Sequence, residues 1–550
     1  MTFEINIPVS NINDFSPLIY LDLYKINGTR AFVKTFHTSK VLQSSKECFS
    51  YKFSFPGNKE DFKALIVKQG DETIFSEFYN QPAHIEINNF HIVVACRNAE
   101  KYIGECISSI IRQTHFRCNI VVIDDNSIDS TSLVVQEIIE KYPIQGIRII
   151  KNDQHRGIGY SKRLGCSLAK PGDIICILDG DDYLTNNQAL EKINEEYNKD
   201  IRVGCIYTNF YFINSDKVVP AQWIYQFNNK QSGYKQDCVS HFLTFKADVY
   251  NLSKGYDASN KFCTDKQIIN ELACVTNLRY LPLYTYGYRL HQDNIDSQYT
   301  STEVSDNFLR IKDIYKEKDN NMSIIVTHHN RDILPLLKSI NTSIVNNLIE
   351  LIIVTTYKEL PEPITSYINT ELQVPIYIIH FNEEFNKSKM INLGVLSSNF
   401  NRLLFLDCDM KFDEGFIKSA NIAIDYSNVF FPICFDEDTN TARNKGYGNC
   451  GLMKRDFYRV QGFDEDFKTW GGEDTHFFHK CSLEPFNIHR QEYPTFIHLP
   501  HEYKDVWHKT VVNRDVLKES VTEYRARADK NVAFFNKKIN EYKKKFSIQS

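Results

Sequence analysis

The chain has 550 residues, 42% of them hydrophobic and 24% charged, and carries a formal net charge of −5. That length is too great for one ordinary core and implies about two to four domains. The mildly acidic balance excludes a general nucleic-acid binder, which needs a basic surface to displace phosphate counterions.

No apolar run approaches the roughly eighteen residues needed to cross a bilayer. The opening MTFEINIPVSNINDF has neither a basic leader nor an apolar signal core, so a cytoplasmic chain without a transmembrane segment is expected. The 14 cysteines form no C-x-x-C pair and scatter through apolar segments such as IICIL and ELACV, as reduced, buried thiols do.

Residues 1–85 read as short strands (LIYLDLYKI, TRAFVKTF, ALIVKQG) broken by polar turns, which predicts a small β-rich, sandwich-like domain. From His91 the pattern changes to apolar strands alternating with amphipathic segments: HIVVAC, AEKYIGECISSIIRQ, NIVVIDD, TSLVVQEIIEKY, GIRIIKN, SKRLGCSLAK, DIICILDGDD. That alternation predicts an α/β, Rossmann-like domain with a mostly parallel sheet covered on both faces. After the charged stretch IYKEKDNN (314–321) the cycle restarts with MSIIVTHHN, LIELIIVTT, PIYIIHFN and RLLFLDCD, an imperfect duplication. Residues 511–550 predict a basic C-terminal helix, either solvated and packed on the second domain or in contact with a membrane surface or a partner.

Ligands of parallel sheets gather beyond the carboxyl ends of the strands. Acidic clusters stand there: Asp124 and Asp125, then Asp179, Asp181 and Asp182, and again Asp407 and Asp409, with 407 − 179 = 228 residues between the two Asp-x-Asp runs. Paired carboxylates of this kind offer hard oxygen ligands to Mg²⁺ or Mn²⁺, ions that also take diphosphate oxygens. Such an ion neutralises charge developing on a departing nucleoside diphosphate. The plainer alternative is a turn in which the aspartates bond to local amides. Asp124 and Asp125 could read a uracil imide or a ribose, and HRGIGYSKRLG brings Gly157, Lys162 and Arg163 toward phosphates.

Taken in order, these motifs over about residues 90–300 resemble the inverting glycosyltransferase family 2. The resemblance implies a GT-A fold, a nucleotide-sugar donor and a divalent metal. It assigns Ala95, Arg97 and Asp125 (beside Asp124) to the nucleoside, Lys162 to the ribose-diphosphate side, and Asp179 and Asp181 to ribose and metal. The general base implied is Asp265 in FCTDKQIINELA, where Thr264 replaces the usual glutamate; a helix N-cap is the alternative role for Asp265. His291 in YRLHQDNIDS matches a diphosphate or metal contact. The Q-x-x-R-W motif of membrane-embedded processive synthases is absent.

About residues 322–505 resemble the family 7 β-1,4-galactosyltransferases and the galactosaminyl-transferring domains of chondroitin polymerases, through EFNKSKMINLG, LLFLDCDM, NKGYGNCGLMKRDFYRVQGFDEDF and TWGGEDTHFFHK. The resemblance implies Trp470 as a wall over the sugar and Gly471 and Gly472 as a mobile turn. It makes Glu473 and Asp474 the acceptor-binding and base carboxylates, with Asp474 chosen as base. Asp407 would contact the donor, and Asp409, His498 and His501 would hold the metal, a set that favours Mn²⁺ over Mg²⁺. Asn330 and Arg331 match the nucleoside-contacting segment while His328 and His329 depart from it, so base recognition is expected to differ. Lys387 replaces an arginine, keeping the charge but losing the diphosphate fork. His476 and His479 read as helix-face residues.

The sequence thus predicts a β-rich domain (1–85), a family-2-like GT-A domain (90–312), a family-7-like GT-A domain (320–510) and the basic helix (511–550). The expected function is a bifunctional, metal-dependent inverting glycosyltransferase. It would move sugars from UDP-type donors onto a glycan or glycoconjugate acceptor, as in polysaccharide synthesis. One active module beside a degenerate acceptor-holding one is the enzymatic alternative; a carbohydrate-binding protein is the non-enzymatic one. The sugars, the acceptor, the linkage and the oligomeric state stay open.

Overall fold

The computed structural model describes the backbone of six strands before residue 79, and residues 87–500 except 116, 143–145, 201–202, 215–216, 236, 292–299, 344–348, 444–446 and 468–470. The predicted basic helix over 511–550, together with Trp470 and His501, lies outside the described residues. The chain divides into two compact units, Met1–Glu86 and Ile87–Ser550.

In the first unit the strands are β1 (Thr2–Pro8), β2 (Leu18–Lys25), β3 (Arg30–His37), β4 (Cys48–Ser54), β5 (Phe62–Gln69) and β6 (Glu72–Phe78). All pair antiparallel, β1 with β4 and the rest in the order β3-β2-β5-β6. This is the β-rich domain expected from the short polar-punctuated strands.

The second unit opens with β7 (Phe90–Cys96), β8 (Cys118–Asp124), β9 (Ile147–Lys151) and β10 (Ile174–Asp179). It continues with β11 (Tyr183–Leu184), β12 (Val203–Ile213), β13 (Val218–Pro220), β14 (Leu243–Lys246) and β15 (Asn277–Arg289). These form one sheet in the order β11-β15-β12-β14-β10-β7-β8-β9, with β13 on the edge of β12. β9, β8, β7 and β10 run parallel, and β14 is antiparallel to β10. Every residue of β7 is buried, which is why HIVVAC is apolar throughout instead of alternating.

The helix Ser301–Asn320, started by a reciprocal cap between Thr300 and Glu303, leads into the repeat. There β16 (Met322–His328), β17 (Ile349–Thr355), β18 (Ile376–His380) and β19 (Arg402–Asp407) are parallel, in the order β18-β17-β16-β19. After the short β20 (Met410–Lys411) come β21 (Asn428–Phe430), β22 (Ile433–Asp436), β23 (Cys450–Met453), β24 (Asn487–His489) and β25 (Glu492–His498). β23 lies antiparallel beside β19, as β14 does beside β10, and β20, β25 and β22 make a separate small sheet. Alternation along β16 sends Ile324 and Val326 into one core and Ile325 into the other. The two halves therefore share one strand plan: four parallel strands, an Asp-x-Asp at the end of the fourth, a two-residue strand after it, and an antiparallel fifth.

Candidate active sites

In the first module β7 and β10 are in parallel register with Ala95 opposite Asp179, and the amide of Gly180 donates to the Ala95 carbonyl at 2.9 Å. Gly180 has no room for a side chain, because a Cβ there would lie 2.4 Å from that of Cys96. Asp179 and Asp181 thus stand at the carboxyl end of the parallel strands, with Asp179 beside Ala95. Asp125, just past β8, accepts from the amides of Arg156 and Gly157, from Asn152 Nδ2 at 2.8 Å each, and contacts His155 Nδ1 at 2.7 Å. Burial alone would raise its pKa, but these hydrogen bonds outweigh it and hold the carboxyl below the ordinary range. Asp124 is fully buried and faces the other way, its oxygens taken by the Ser127 amide and hydroxyl and by Ser132.

Lys162 leaves the helix Ile158–Ser167 and puts its ammonium 3.0 Å from Asp179 and 3.2 Å from Asp265. Burial opposes that charge, yet the two carboxylates more than offset it and raise the lysine pKa. Asp265 is the second residue of the helix Thr264–Ala273; the N-cap is Cys263, in a left-handed conformation at φ 57°. The capping alternative for Asp265 therefore falls. Its other oxygen lies 3.6 Å from His241 Nε2, a contact that no sequence motif signalled. Asp181 meets His291, with Nε2 3.0 Å from its carboxylate, and the His291 ring stacks on Tyr102. Asp182, the third acid of the cluster, is buried and accepts from Tyr286 Oη at 2.6 Å and the Arg289 amide at 2.8 Å, a structural role. Burial and then the neighbouring Asp181 and Asp179 push its pKa well up.

The second module repeats the arrangement with different residues. Asp407 ends β19, and Lys387, the first residue of the helix Lys387–Leu396, reaches it at 2.7 Å while lying 3.7 Å from Glu473. Glu473 opens the helix Glu473–Ser482 behind Gly471 and Gly472, both at positive φ (109° and 94°), a backbone that suits glycine. Its second oxygen accepts from the Gly471 amide at 2.7 Å. Burial pushes the Glu473 pKa up to about 7 against the pull of Lys387. Asp474, half-buried, accepts from the amide of Thr475. Along the same helix His476 is buried against Phe467, and His479 is exposed.

Asp409 receives Arg331, and His498 Nε2 lies 3.5 Å away because the antiparallel pairing of β20 with β25 sets Met410 opposite His498. On its far side His498 Nδ1 is 3.3 Å from Asp436, so a carboxylate orients the ring and leaves Nε2 facing Asp409. A carboxylate plus an imidazole backed by a second carboxylate is a donor set that fits Mn²⁺. In the first module Asp181 and His291 form the corresponding pair. Among the described residues one further trio, Asp179, His241 and Asp265, brings ligand atoms within 4.8 Å of one another. There the Lys162 ammonium already supplies the cation between the two carboxylates. His328 is buried, bonded to the Arg331 carbonyl; His329 stacks on Phe385 at 4.4 Å and meets Asn330 Nδ2 at 3.0 Å.

Two acid-and-lysine sites stand at the carboxyl ends of two α/β sheets, and the chain is similar to glycosyltransferases in both halves of its second unit. More particularly, residues 91–252 match the family described as Glycosyl transferase family 2, and residues 435–502 match the N-terminal domain of galactosyltransferase. The chain is similar to the chondroitin synthase of Escherichia coli, 26% identical over 204 residues, 37% of this chain and 29% of that one. It is similar to Glycosyltransferase GlyG of Streptococcus pneumoniae, 31% identical over 169 residues, 28% of this chain and 54% of that one. It is also similar to human chondroitin sulfate N-acetylgalactosaminyltransferase 2, 28% identical over 152 residues, 23% of this chain and 28% of that one. The match spans under a third of the chondroitin synthase and about half of GlyG.

Proposed function

We propose that the chain is a bifunctional, metal-dependent inverting glycosyltransferase with one donor site in each module. The observation that carries this reading is the repeated pair of contacts: a lysine between the first Asp of each Asp-x-Asp and a carboxylate at a helix start, and a histidine against the second Asp. A degenerate module would have no reason to keep both.

In the first module Ala95, Arg97, Asp125 and Asp179 line the end of the sheet where a nucleoside would lie. In the second, Asn330, Arg331 and Asp407 do. Asp181 with His291, and Asp409 with His498, would hold Mn²⁺ or Mg²⁺, which when bound would neutralise the diphosphate. Asp265 stays ionised beside Lys162 and takes the acceptor hydroxyl proton as the oxygen attacks the anomeric carbon from the face opposite the diphosphate. In the second module Asp474 would be the base and Glu473 the acceptor contact, with Glu473 held by the Gly471 amide and Lys387. UDP-type donors belong to the proposal, and a glycan acceptor is in keeping with relatives named as chondroitin synthases. Among the described residues no helix is long and apolar enough to cross a membrane.

The test is UDP release from a panel of UDP-sugars, with Mn²⁺ and with EDTA. The proposal predicts turnover of two donors, both lost with EDTA. A single donor turned over whatever the mixture would reduce the chain to one working module.

A further inference from the structure

An aromatic surface lies beside Asp265 that neither donor site uses. β12 and β15 are in parallel register with Phe210 opposite Tyr286 and Phe212 opposite Tyr288. His241 stacks on Tyr286 at 4.9 Å and on Tyr288 at 5.6 Å, with interplanar angles of 12° and 21°. Phe210 meets the edge of His241 at 5.7 Å and that of Trp223 at 5.9 Å. The inner rings are fixed, Tyr286 and Phe210 being 0% and 2% exposed, whereas Trp223 is 43% exposed. The cluster therefore presents one large ring, rigidly backed, to solvent.

Two contacts link this cluster to Asp265 and to the residue after it. His241 Nε2 is 3.6 Å from Asp265, and Lys266, the next residue, places its ammonium 5.5 Å from the centre of the Trp223 ring. Lys266 in turn faces Asp237 at 4.0 Å, and Asp237 binds Lys312 at 3.0 Å. The ring thus meets Lys266 of the Lys266–Asp237 pair directly and the His241 imidazole through Phe210, beside the residue that follows Asp265.

We infer that Trp223 is the platform for the acceptor sugar of the first module, with His241 and Lys266 bounding it. A pyranose has an apolar face of C–H bonds and a hydroxyl-rich edge; a tryptophan ring suits the face, and the imidazole and the Lys266–Asp237 pair suit the edge. A nucleotide does not suit the position. Its candidate contacts Ala95, Arg97 and Asp125 belong to β7, β8 and their ends, while Trp223 and His241 lie on the other side of β10, around β12 and β14. His241 is a positioning residue here, holding Asp265 from the side opposite Lys162. The inference rests on the reading of the first module as a glycosyltransferase.

The test uses the full chain carrying Asp409→Asn, so that the first module is observed alone. UDP release is measured against chondroitin hexasaccharide and cellohexaose as acceptors, and UDP affinity is measured by calorimetry. Trp223→Ala should raise the acceptor KM by about tenfold or more, and Trp223→Phe by less than about threefold. UDP affinity should stay within about twofold of the parent for both variants. An acceptor KM untouched by Trp223→Ala, a Phe variant as impaired as the Ala variant, or the use of neither oligosaccharide would each overturn the platform. Failure of the parent chain to bind UDP would overturn the glycosyltransferase reading, and this inference with it.

Discussion

Arg455, in the second module, donates from Nη1 to the carbonyl of Ala273, the last residue of the helix that carries Asp265 in the first. The same guanidinium binds the carbonyls of Asn229 and Gln231 and lies over the Tyr426 ring at 4.1 Å, all at 1% exposure. Arg455 follows β23, the neighbour of the strand that ends in Asp407. One buried side chain of the second module therefore caps the helix of the first that carries Asp265. Asp319 adds to the seam, accepting from Asn401 at 2.6 Å and Tyr426 at 2.9 Å and binding Ser232. Arg455→Ala would remove a charged donor from three carbonyls and should cost about 3 kcal/mol or more in urea unfolding. It should lower turnover at the first module although the residue belongs to the second. Unchanged stability, or loss confined to the second module, would count against this coupling.

Glu473 makes stability depend on pH in a direction unusual for a carboxylate. Its folded pKa of about 7 lies above the ordinary 4.5, so the folded chain binds the proton more tightly than the unfolded one. The contribution is fully present below the unfolded value and is lost as pH rises through about 7. Relative to wild type, Glu473→Gln should gain up to about 3 kcal/mol between about pH 5 and about pH 8. Urea unfolding of both chains at the two pH values checks this; a constant difference between them would contradict it.

Lys162 and Lys387 each separate two acids that would otherwise repel inside the protein. Removing one of them without a substitute charge should destabilise by about 3 kcal/mol. Lys387→Met should also raise the Glu473 pKa further, and carboxyl titration by NMR would detect it. Lys387→Arg should restore most of the stability. A methionine variant as stable as wild type would show that the acids do not need the cation.

Gly448 lies against Asp407 and Lys387 in the second module, and a Cβ there would lie 2.5 Å from Asp407 Oδ2 and 3.3 Å from Lys387 Nζ. Gly448→Ala should displace the Asp407 carboxylate and weaken nucleotide binding at that module by about tenfold or more, with the first module unaffected. Calorimetric titration with UDP in an Asp181→Asn background reads that effect. Affinity equal to the background would mean that Asp407 moves aside at no cost.

Much of this was legible in the sequence because parallel strands buried on both faces leave an unmistakable apolar run, as in HIVVAC and RLLFLD, and because the acids following them have no place in a core. The recurrence of that pattern 228 residues later (407 − 179) foretold the shared strand plan. What stayed hidden was pairing across distance. His241 stands alone in VSHFL, far in sequence from Asp265, and only the crossing of β12, β14 and β15 brings them together. Lys162 and Lys387 read as phosphate contacts, and their seats between two carboxylates depend on helix placement that no local pattern encodes. Nothing in the local sequence around Arg455 signals its burial, which comes from the first module closing over it.

The proposed function requires two working donor sites in one chain. The most direct measurement is UDP release from a panel of UDP-sugars with Mn²⁺ by wild type, Asp181→Asn and Asp409→Asn, side by side. Each substitution should abolish turnover of a different donor and spare the other. Loss of all turnover from one substitution and none from the other would contradict it and leave a single active module.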